Sequence, residues 1–370
     1  MFFLAFVTLL VAVASLIWYA HHKQMNYFKT QGFLHEKPHW LFGNCSGIGT
    51  SKHFLHIYKE YYEKFKHKAP VVGFYLFFKA SVFVMDLDLI NQILIKDFHN
   101  FSSRGFYFNE EKDPLSAHLF SLEGERWKKL RSKMTQAFTS GKMKIMFSSV
   151  QDISNQYVKA LTKALDDSSV VDIKDWNLRY MTDVIGSLIL GIDCQSLADP
   201  EAEFRLLMTK LFLNKKITNP IDGFIMGYPN ISKKFNVRIT PREIEDFIVQ
   251  AISQTLSYRK KYGVKCKDFL SILMNLKDEN CLDENGNETP SFTDIQIAAQ
   301  AHLFFFAGYE SSSSAMTFAL FELSQHPHIQ EKLRQEINSV MKAHGEELSY
   351  EVMNKMTLLS MVLKGSILEF

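Results

Sequence analysis

Apolar residues recur with a period near 3.6 through most of the chain from residue 88 onward, which predicts a mainly helical protein. The predicted helices are residues 88–95, 126–138, 149–165, 176–190, 201–212, 242–262, 268–276, 293–324 and 327–344. Ahead of them, residues 71–86 are rich in β-branched and aromatic side chains and are interrupted at residues 79–81, so they predict a β-hairpin. The expected fold class is mainly α with a small β portion near the start.

The amino terminus carries a different pattern. Residues 1–20 contain no charged side chain, and about 20 apolar residues in a helix cross the roughly 30 Å hydrocarbon core of a membrane. A cleaved signal peptide is the alternative, because Ala12-Val13-Ala14 offers a small-x-small site, but the apolar run continues past it and no positive segment precedes it. The prediction is a transmembrane signal anchor over residues 1–20, followed by a hinge and linker over residues 21–50.

The charges beside the anchor predict its orientation. Trp18 and Tyr19 close the apolar run as an interface belt, and His21, His22 and Lys23 follow. Under the positive-inside rule this places the body of the chain in the cytosol, and we expect the membrane to be that of the endoplasmic reticulum. Membrane lipid is therefore an expected partner.

Composition narrows the function. The 42 basic and 40 acidic residues give a formal net charge of +2, which argues against a nucleic-acid partner. The four cysteines, at positions 45, 194, 266 and 281, form no C-x-x-C pair, so we expect a reducing compartment and no protein-ligated metal site. The 32 phenylalanines suit a large apolar interior with an apolar binding cavity.

The longest predicted helix, residues 293–324, carries an unusual polar segment. A helix of about 32 residues is about 48 Å long, enough to cross a whole domain. Within it, the run Ala307-Gly308-Tyr309-Glu310-Ser311 and the three serines that follow interrupt an apolar interior. One interpretation is a serine-rich face turned to solvent. The other is that Gly308 admits a ligand to the backbone while Glu310 and Ser311 deliver protons to it.

A second unusual segment lies in the predicted helix 126–138. Trp127 and Arg131 are four residues apart, so an indole N–H and a guanidinium share one helix face. The pair suits two carboxylates on a planar ligand. An ordinary basic surface helix with a half-buried tryptophan is the alternative.

Taken together, these segments resemble the cytochrome P450 superfamily of haem-thiolate monooxygenases. Trp127 and Arg131 match its W-x-x-x-R helix, and residues 307–311 match its A-G-x-[DE]-T oxygen-activating segment. Further phrases at residues 96–105, 182–186 and 316–334 are similar to insect microsomal members that oxidise xenobiotics.

The resemblance implies a P450 fold with a haem cofactor roofed by the central helix. Trp127, Arg131, Ala307 and Gly308 would then bind haem, while Glu310 and Ser311 would relay protons during oxygen activation. The family usually has threonine at position 311, and the freer rotamer of serine leads us to expect more release of hydrogen peroxide. The phenylalanines that would line the substrate site are Phe106, Phe108, Phe120 and Phe304.

The family also implies reaction partners. Electrons would come from an NADPH-dependent flavoprotein reductase, and the substrate would be a small apolar molecule, either xenobiotic or endogenous. The reaction would insert one atom of molecular oxygen into that substrate.

The chain departs from the family near its end. The family has an F-x-x-G-x-R-x-C loop that supplies the thiolate ligand of the iron, and none of the four cysteines has this context. Where the E-x-x-R pair of the following helix is expected, Gly365 and Leu368 stand instead. We therefore expect a partial P450 domain over residues 51–364 and a divergent tail over residues 365–370, from a changed reading frame, an unspliced intron or an alternative exon.

Two hypotheses follow for function. One is a haem-dependent monooxygenase that is inactive in this form. The alternative is a non-catalytic membrane protein or isoform.

Overall fold

The structure is a computed structural model and describes residues 2–48, 51–213, 225, 228–278, 280–282, 288–290 and 292–369. Its α-helices are α1 (Phe2–Met25), α2 (Tyr27–Thr30), α3 (Phe54–Phe65), α4 (Leu87–Asn91), α5 (Gly124–Ala137), α6 (Ser140–Asp167), α7 (Ile173–Ile185), α8 (Glu203–Leu213), α9 (Pro229–Lys234), α10 (Arg242–Tyr262), α11 (Phe269–Asp278), α12 (Asp294–Gln325), α13 (Pro327–Ala343), α14 (Tyr350–Met353) and α15 (Thr357–Glu369). The strands β1 (Val71–Leu76) and β2 (Lys79–Val84) pair antiparallel, as do β3 (Asn280–Leu282) and β4 (Glu288–Pro290). The expected class, mainly α with a small β portion, is confirmed.

The predicted helices are present, with differences at their ends. Helix α10 has the bounds predicted for it, whereas α6 begins at Ser140 and not at residue 149. Two π-helical turns, Gln92–Lys96 and Gly186–Leu190, directly follow α4 and α7. Helix α3 was not predicted, because its many aromatic residues conceal a period-four set of buried side chains.

The hairpin turn is not where the sequence suggested. Residues 79–81 were expected to interrupt the hairpin, but they belong to β2 and pair with the last residues of β1. The turn is formed by Phe77 and Phe78, and Phe77 has a φ of 52°. Two-residue hairpin turns require positive φ, so the backbone of Phe77 and not a polar residue reverses the chain.

The described chain divides into two compact units. Unit 1 comprises Met1–Arg126 and Leu213–Ile239, and unit 2 comprises Trp127–Phe212 and Thr240–Phe370. Unit 1 therefore contains the amino-terminal helix and the main hairpin, whereas unit 2 contains the long helix α12. The domain boundaries suggested by the sequence follow other features and stay predictions.

Unit 1 is organised around the β1–β2 hairpin. Tyr61 and Phe65 of α3 pack on Phe74 of β1. On the hairpin, Gly73 lies so close to Phe28 of α2 that an added Cβ would stand 2.4 Å from the ring carbon Cγ. The segment just after α1, expected as a linker, thus makes specific contacts with the hairpin.

Helix α1 is almost entirely exposed within unit 1. Its last residue, Met25, is buried, while the preceding apolar side chains, such as Trp18 at 65% exposure, are not. Among the described residues, α1 is a helix long and apolar enough to cross a membrane.

Unit 2 is built around helix α12. The helix begins in a capping box in which the Thr293 side chain accepts from the Gln296 N–H and the Gln296 side chain accepts from the Thr293 N–H. It packs against α7, α10 and α15. Buried side chains such as Phe305 and Tyr309 lie in these contacts, so the long central helix is confirmed, with part of its surface buried.

Candidate active site

The polar segment of α12 presents one open face. Ala307 and Ser311 are exposed, one helical turn apart, while Tyr309 between them is 2% exposed. The Ser311 hydroxyl donates a hydrogen bond of 2.5 Å to the Ala307 carbonyl. Small side chains on this face leave the surface of α12 accessible to a flat ligand.

Glu310 lies on a neighbouring face of the helix and is held by α7. The Lys174 ammonium lies 2.7 Å from Oε1 of Glu310 and also donates to the Ser314 hydroxyl at 2.6 Å. Ser314 in turn donates to Glu310 at 3.2 Å. The structure thus joins Glu310 to Lys174 and Ser314, while the Ser311 hydroxyl bonds to its own helix turn.

Lys174 is a residue that sequence reasoning missed. It lies 136 residues before Glu310, and no local motif links the two positions. The contact exists because α7 packs along α12. A second polar contact between the two helices, from the Asn177 amide to the Thr317 hydroxyl at 3.0 Å, repeats this arrangement one turn further along.

Gly308 faces α7 as well. A Cβ added to it would stand 2.7 Å from Cδ1 of Ile185 and 3.6 Å from its Cγ1. The close approach that this glycine permits is therefore made by another helix. On that side of α12, Gly308 has a packing role, and its expected contact with a ligand stays a prediction.

Trp127 and Arg131 lie on helix α5, as predicted. Trp127 is half-buried and Arg131 is exposed. Their spacing of four residues puts both side chains, each with N–H donors, on one face of the helix. This donor set suits the carboxylates of a planar anionic ligand.

The four candidate substrate phenylalanines fall into two groups. In unit 1, Phe106 and Phe120 stack with ring centroids 5.0 Å apart, and the Lys233 ammonium lies 5.6 Å from the ring centroid of Phe108. In unit 2, Phe304 contacts Phe138, with centroids 5.1 Å apart. The structure brings Phe106 and Phe120 together and packs Phe304 into an aromatic cluster of unit 2.

A buried polar cluster supports the loop that carries Phe106 and Phe120. Its Asp113 is fully buried and accepts a hydrogen bond of 2.8 Å from the Ile239 N–H. Nearby, His118 lies 3.2 Å from the Ser121 hydroxyl, and burial lowers the pKa of His118 to about 4. The loop is thus held by buried polar groups, and placing a further charge among them, as protonation of His118 would, is unfavourable.

Two of the described cysteines, Cys45 and Cys194, do not offer an activated thiolate. Cys45 and Cys194 are buried, and burial raises the pKa of each thiol, which favours the neutral form. Cys266 is exposed in the loop between α10 and α11, and the side chain of Cys281 lies outside the described residues. Within the described part of the chain, no group of three or more His, Cys, Asp or Glu side chains could hold a metal ion.

Comparison with known proteins identifies the family. The profile of the cytochrome P450 family matches residues 34–366. The mainly helical fold and this match show that the chain belongs to the cytochrome P450 family, whose members are haem-dependent monooxygenases.

Its relatives are insect proteins of the P450 6 type. Probable cytochrome P450 6a18 of Drosophila melanogaster is 38% identical over 359 residues, covering 96% of this chain and 71% of the relative. Cytochrome P450 6a8 of the same species is 38% identical over 355 residues, covering 95% and 70%. Cytochrome P450 6A1 of Musca domestica is 36% identical over 359 residues, covering 97% and 70%.

Proposed function

We propose that the chain serves the oxidation of small apolar molecules, xenobiotic or endogenous, at the endoplasmic reticulum membrane. Helix α1 anchors it, the body lies on the cytosolic side, and an NADPH-dependent flavoprotein reductase supplies electrons. The open, small-residue face formed by Ala307 and Ser311 on α12, in a chain of this family, is the observation that carries the proposal.

The residues present fit the organic part of haem. Trp127 and Arg131 offer N–H donors for its two carboxylates, and the exposed Ala307 leaves room beside α12 for a flat ring. Gly308, the fourth residue of this set, contacts Ile185 on the side of α12 that faces α7. When bound, haem supplies the activation of molecular oxygen.

Glu310 and Ser311 are the proposed proton-transfer residues. The Ser311 hydroxyl bonds to the Ala307 carbonyl and can rotate from it to donate outward, since serine has no β-methyl to restrict χ1. Glu310 reaches that face only after its ion pair with Lys174 opens. Because both partners are partly exposed, this pair contributes at most about 1 kcal/mol and can open readily.

Substrate contact is assigned to the aromatic side chains. The exposed edges of the stacked Phe106 and Phe120 offer apolar surface in unit 1, with Phe108 nearby in the same loop. Phe304 offers the corresponding surface on α12 in unit 2. Aromatic rings of this kind suit ligands that are bound mainly by removal of apolar area from water.

The role of Ser311 has a direct test in a haem-loaded form of the chain that is extended by the cysteine loop typical of the family. Ser311→Thr should lower the hydrogen peroxide released per NADPH consumed, because the added methyl group fixes the hydroxyl. Ser312→Thr, one position along the same helix, is the matched control and should leave peroxide release unchanged. Equal effects of the two substitutions would contradict the assignment.

In this family a cysteine thiolate ligates the haem iron. We infer that these 370 residues, expressed alone, do not form a thiolate-ligated haem, because none of their four cysteines lies in the F-x-x-G-x-R-x-C context that supplies the ligand in the family, and Cys45 and Cys194 are buried. The chain should be expressed in membranes, reduced and exposed to carbon monoxide. Absence of the Soret band typical of thiolate ligation is expected, and its appearance would refute the inference.

The alternative, a non-catalytic membrane protein, is favoured by the sequence context of the same four cysteines. Reading the transcript past the codon for Lys364 separates the two functions. An in-frame E-x-x-R pair followed by a cysteine loop would support the monooxygenase. Their absence from every transcript would support the non-catalytic protein.

A further inference from the structure

We propose that a polar cleft in unit 1 binds the phosphate group of a small, soluble phosphate monoester. The cleft has a volume of about 300 Å³ and is lined by residues of the loop 36–46, by Lys52 and by helix α3. It is called the phosphate cleft below. All its lining residues belong to unit 1, outside the residues assigned above to haem and substrate.

The framework of the phosphate cleft is fixed by strand β1. The Asn44 N–H donates to the Tyr75 carbonyl at 2.8 Å, and the Asn44 side chain accepts from the Tyr75 N–H at 2.7 Å. On the α3 side, the Tyr61 hydroxyl donates to the Gly73 carbonyl at 2.5 Å and accepts from the Glu36 N–H at 3.2 Å. Because these bonds hold both sides of the cleft in place, a ligand pays little to order it.

Three lysines bring positive charge to the phosphate cleft. The Lys52 ammonium lies 2.8 Å and 2.6 Å from the two carboxylate oxygens of Glu60, and the Lys64 ammonium lies 2.7 Å from one oxygen of Glu36. Within the part of the chain that the structure describes, Lys37 has no ion-pair partner. An ammonium group has three N–H donors, so each of the three lysines keeps at least one for a bound anion.

Two uncharged donors also line the phosphate cleft. The Nδ1 atom of His39 accepts from the Leu41 and Phe42 N–H groups at 3.2 Å and 3.3 Å, so the proton of the neutral ring is on Nε2. The Ser46 hydroxyl is exposed on the same cleft. A phosphate monoester presents three terminal oxygens, which suits a site where several charged and uncharged donors meet.

The remaining charges define the class of ligand. The sequence from residue 21 to residue 68 has eight lysines and three glutamates, so the field around the cleft attracts anions. The carboxylates of Glu36 and Glu60 line the cleft and accept hydrogen bonds, which suits an ester that also carries hydroxyl groups. A volume of about 300 Å³ is at the lower end for ligand sites, so the ester is small.

The test is equilibrium dialysis of radiolabelled glycerol 3-phosphate against the full chain in dodecyl maltoside micelles, which contain no phosphate. We expect saturable binding that unlabelled glycerol 3-phosphate displaces and that glycerol does not. Added sodium chloride should weaken the binding, because the ligand is held mainly by exposed charges. Absence of saturable binding, or equal displacement by glycerol, would refute the proposal.

A charge-matched pair of variants tests the location. Lys37→Gln should weaken binding about two- to fivefold, the range for one exposed charge pair, while Lys37→Arg should keep most of the affinity. Lys59→Gln removes the same charge from an exposed position of α3 outside the cleft and should leave binding unchanged. Equal weakening by Lys37→Gln and Lys59→Gln would mean non-specific attraction and would overturn the assignment.

A second arm separates a soluble ester from a lipid headgroup, which carries the same phosphate chemistry. The dialysis is repeated with the chain in nanodiscs of phosphatidylcholine and phosphatidylethanolamine. A site for a soluble ester should bind glycerol 3-phosphate equally in micelles and in nanodiscs. Binding in micelles that is lost in nanodiscs would assign the cleft to lipid phosphate and contradict the proposal.

Discussion

Protonation of His118 should loosen the loop that carries Phe106 and Phe120. Burial lowers the pKa of His118 to about 4 from its ordinary value of 6.5, so the folded state disfavours the charged imidazole. Between these two values the unfolded state binds more protons, and stability therefore rises with pH. The stabilisation from the neutral ring is complete above pH 6.5 and is lost as the pH falls towards 4.

The magnitude follows from the two pKa values. Their difference is equivalent to about 3 kcal/mol when the group is fully protonated, and about 2 kcal/mol of this is already lost at about pH 5. Because a single loop opens at lower cost than a whole domain, the loss should appear first as local opening of residues 106–121. The neighbouring Asp113 carboxylate raises the pKa of His118 but does not overcome burial.

Hydrogen exchange followed by mass spectrometry measures this directly. After correction for intrinsic exchange rates, peptides covering residues 106–121 should lose protection between about pH 7.5 and about pH 5. His118→Gln stays neutral over this range and should remove most of the pH dependence. The control His56→Gln alters an exposed histidine and should not. If the unaltered chain and His118→Gln lost protection equally, the reasoning would be wrong.

Two further predictions concern stability. Asp268→Ala should lower the free energy of unfolding, measured with urea, by about 3–5 kcal/mol. The reason is that Arg259, which is 5% exposed and bonded to Asp268 at 2.9 Å, becomes an unpaired buried charge. The double variant Arg259→Met, Asp268→Leu should recover part of the lost stability. Gly73→Ala should destabilise unit 1 by about 1–3 kcal/mol, because the added Cβ would stand 2.4 Å from a ring carbon of Phe28. The control Gly141→Ala meets open space on a helix and should be neutral or stabilising. Thermal unfolding measures both variants, and equal melting temperatures would contradict the prediction.

Much of the fold was predictable because its signals are local. The period of apolar residues located the long helix, and the structure shows that its start is fixed by an equally local device, the capping box of Thr293 and Gln296 within four consecutive residues. The hairpin turn was misplaced because Phe77 reverses the chain with a positive φ, and phenylalanine is not a residue type that predicts a turn. Helix α3 was missed because its aromatic residues favour a strand, and buried residues four apart share one face of a strand as well as of a helix.

Some features of the candidate site could likewise be predicted from the sequence, and others could not. The spacing of Trp127 and Arg131, and the small residues at Ala307 and Ser311, are properties of single helices, so the sequence by itself determined which faces they occupy. That Lys174 holds Glu310 was decided by the packing of α7 along α12, which joins residues far apart in the chain. Side-chain chemistry and helical period are encoded locally, whereas the partner of each side chain is set by which helices bury their apolar faces together, and only the tertiary structure decides that.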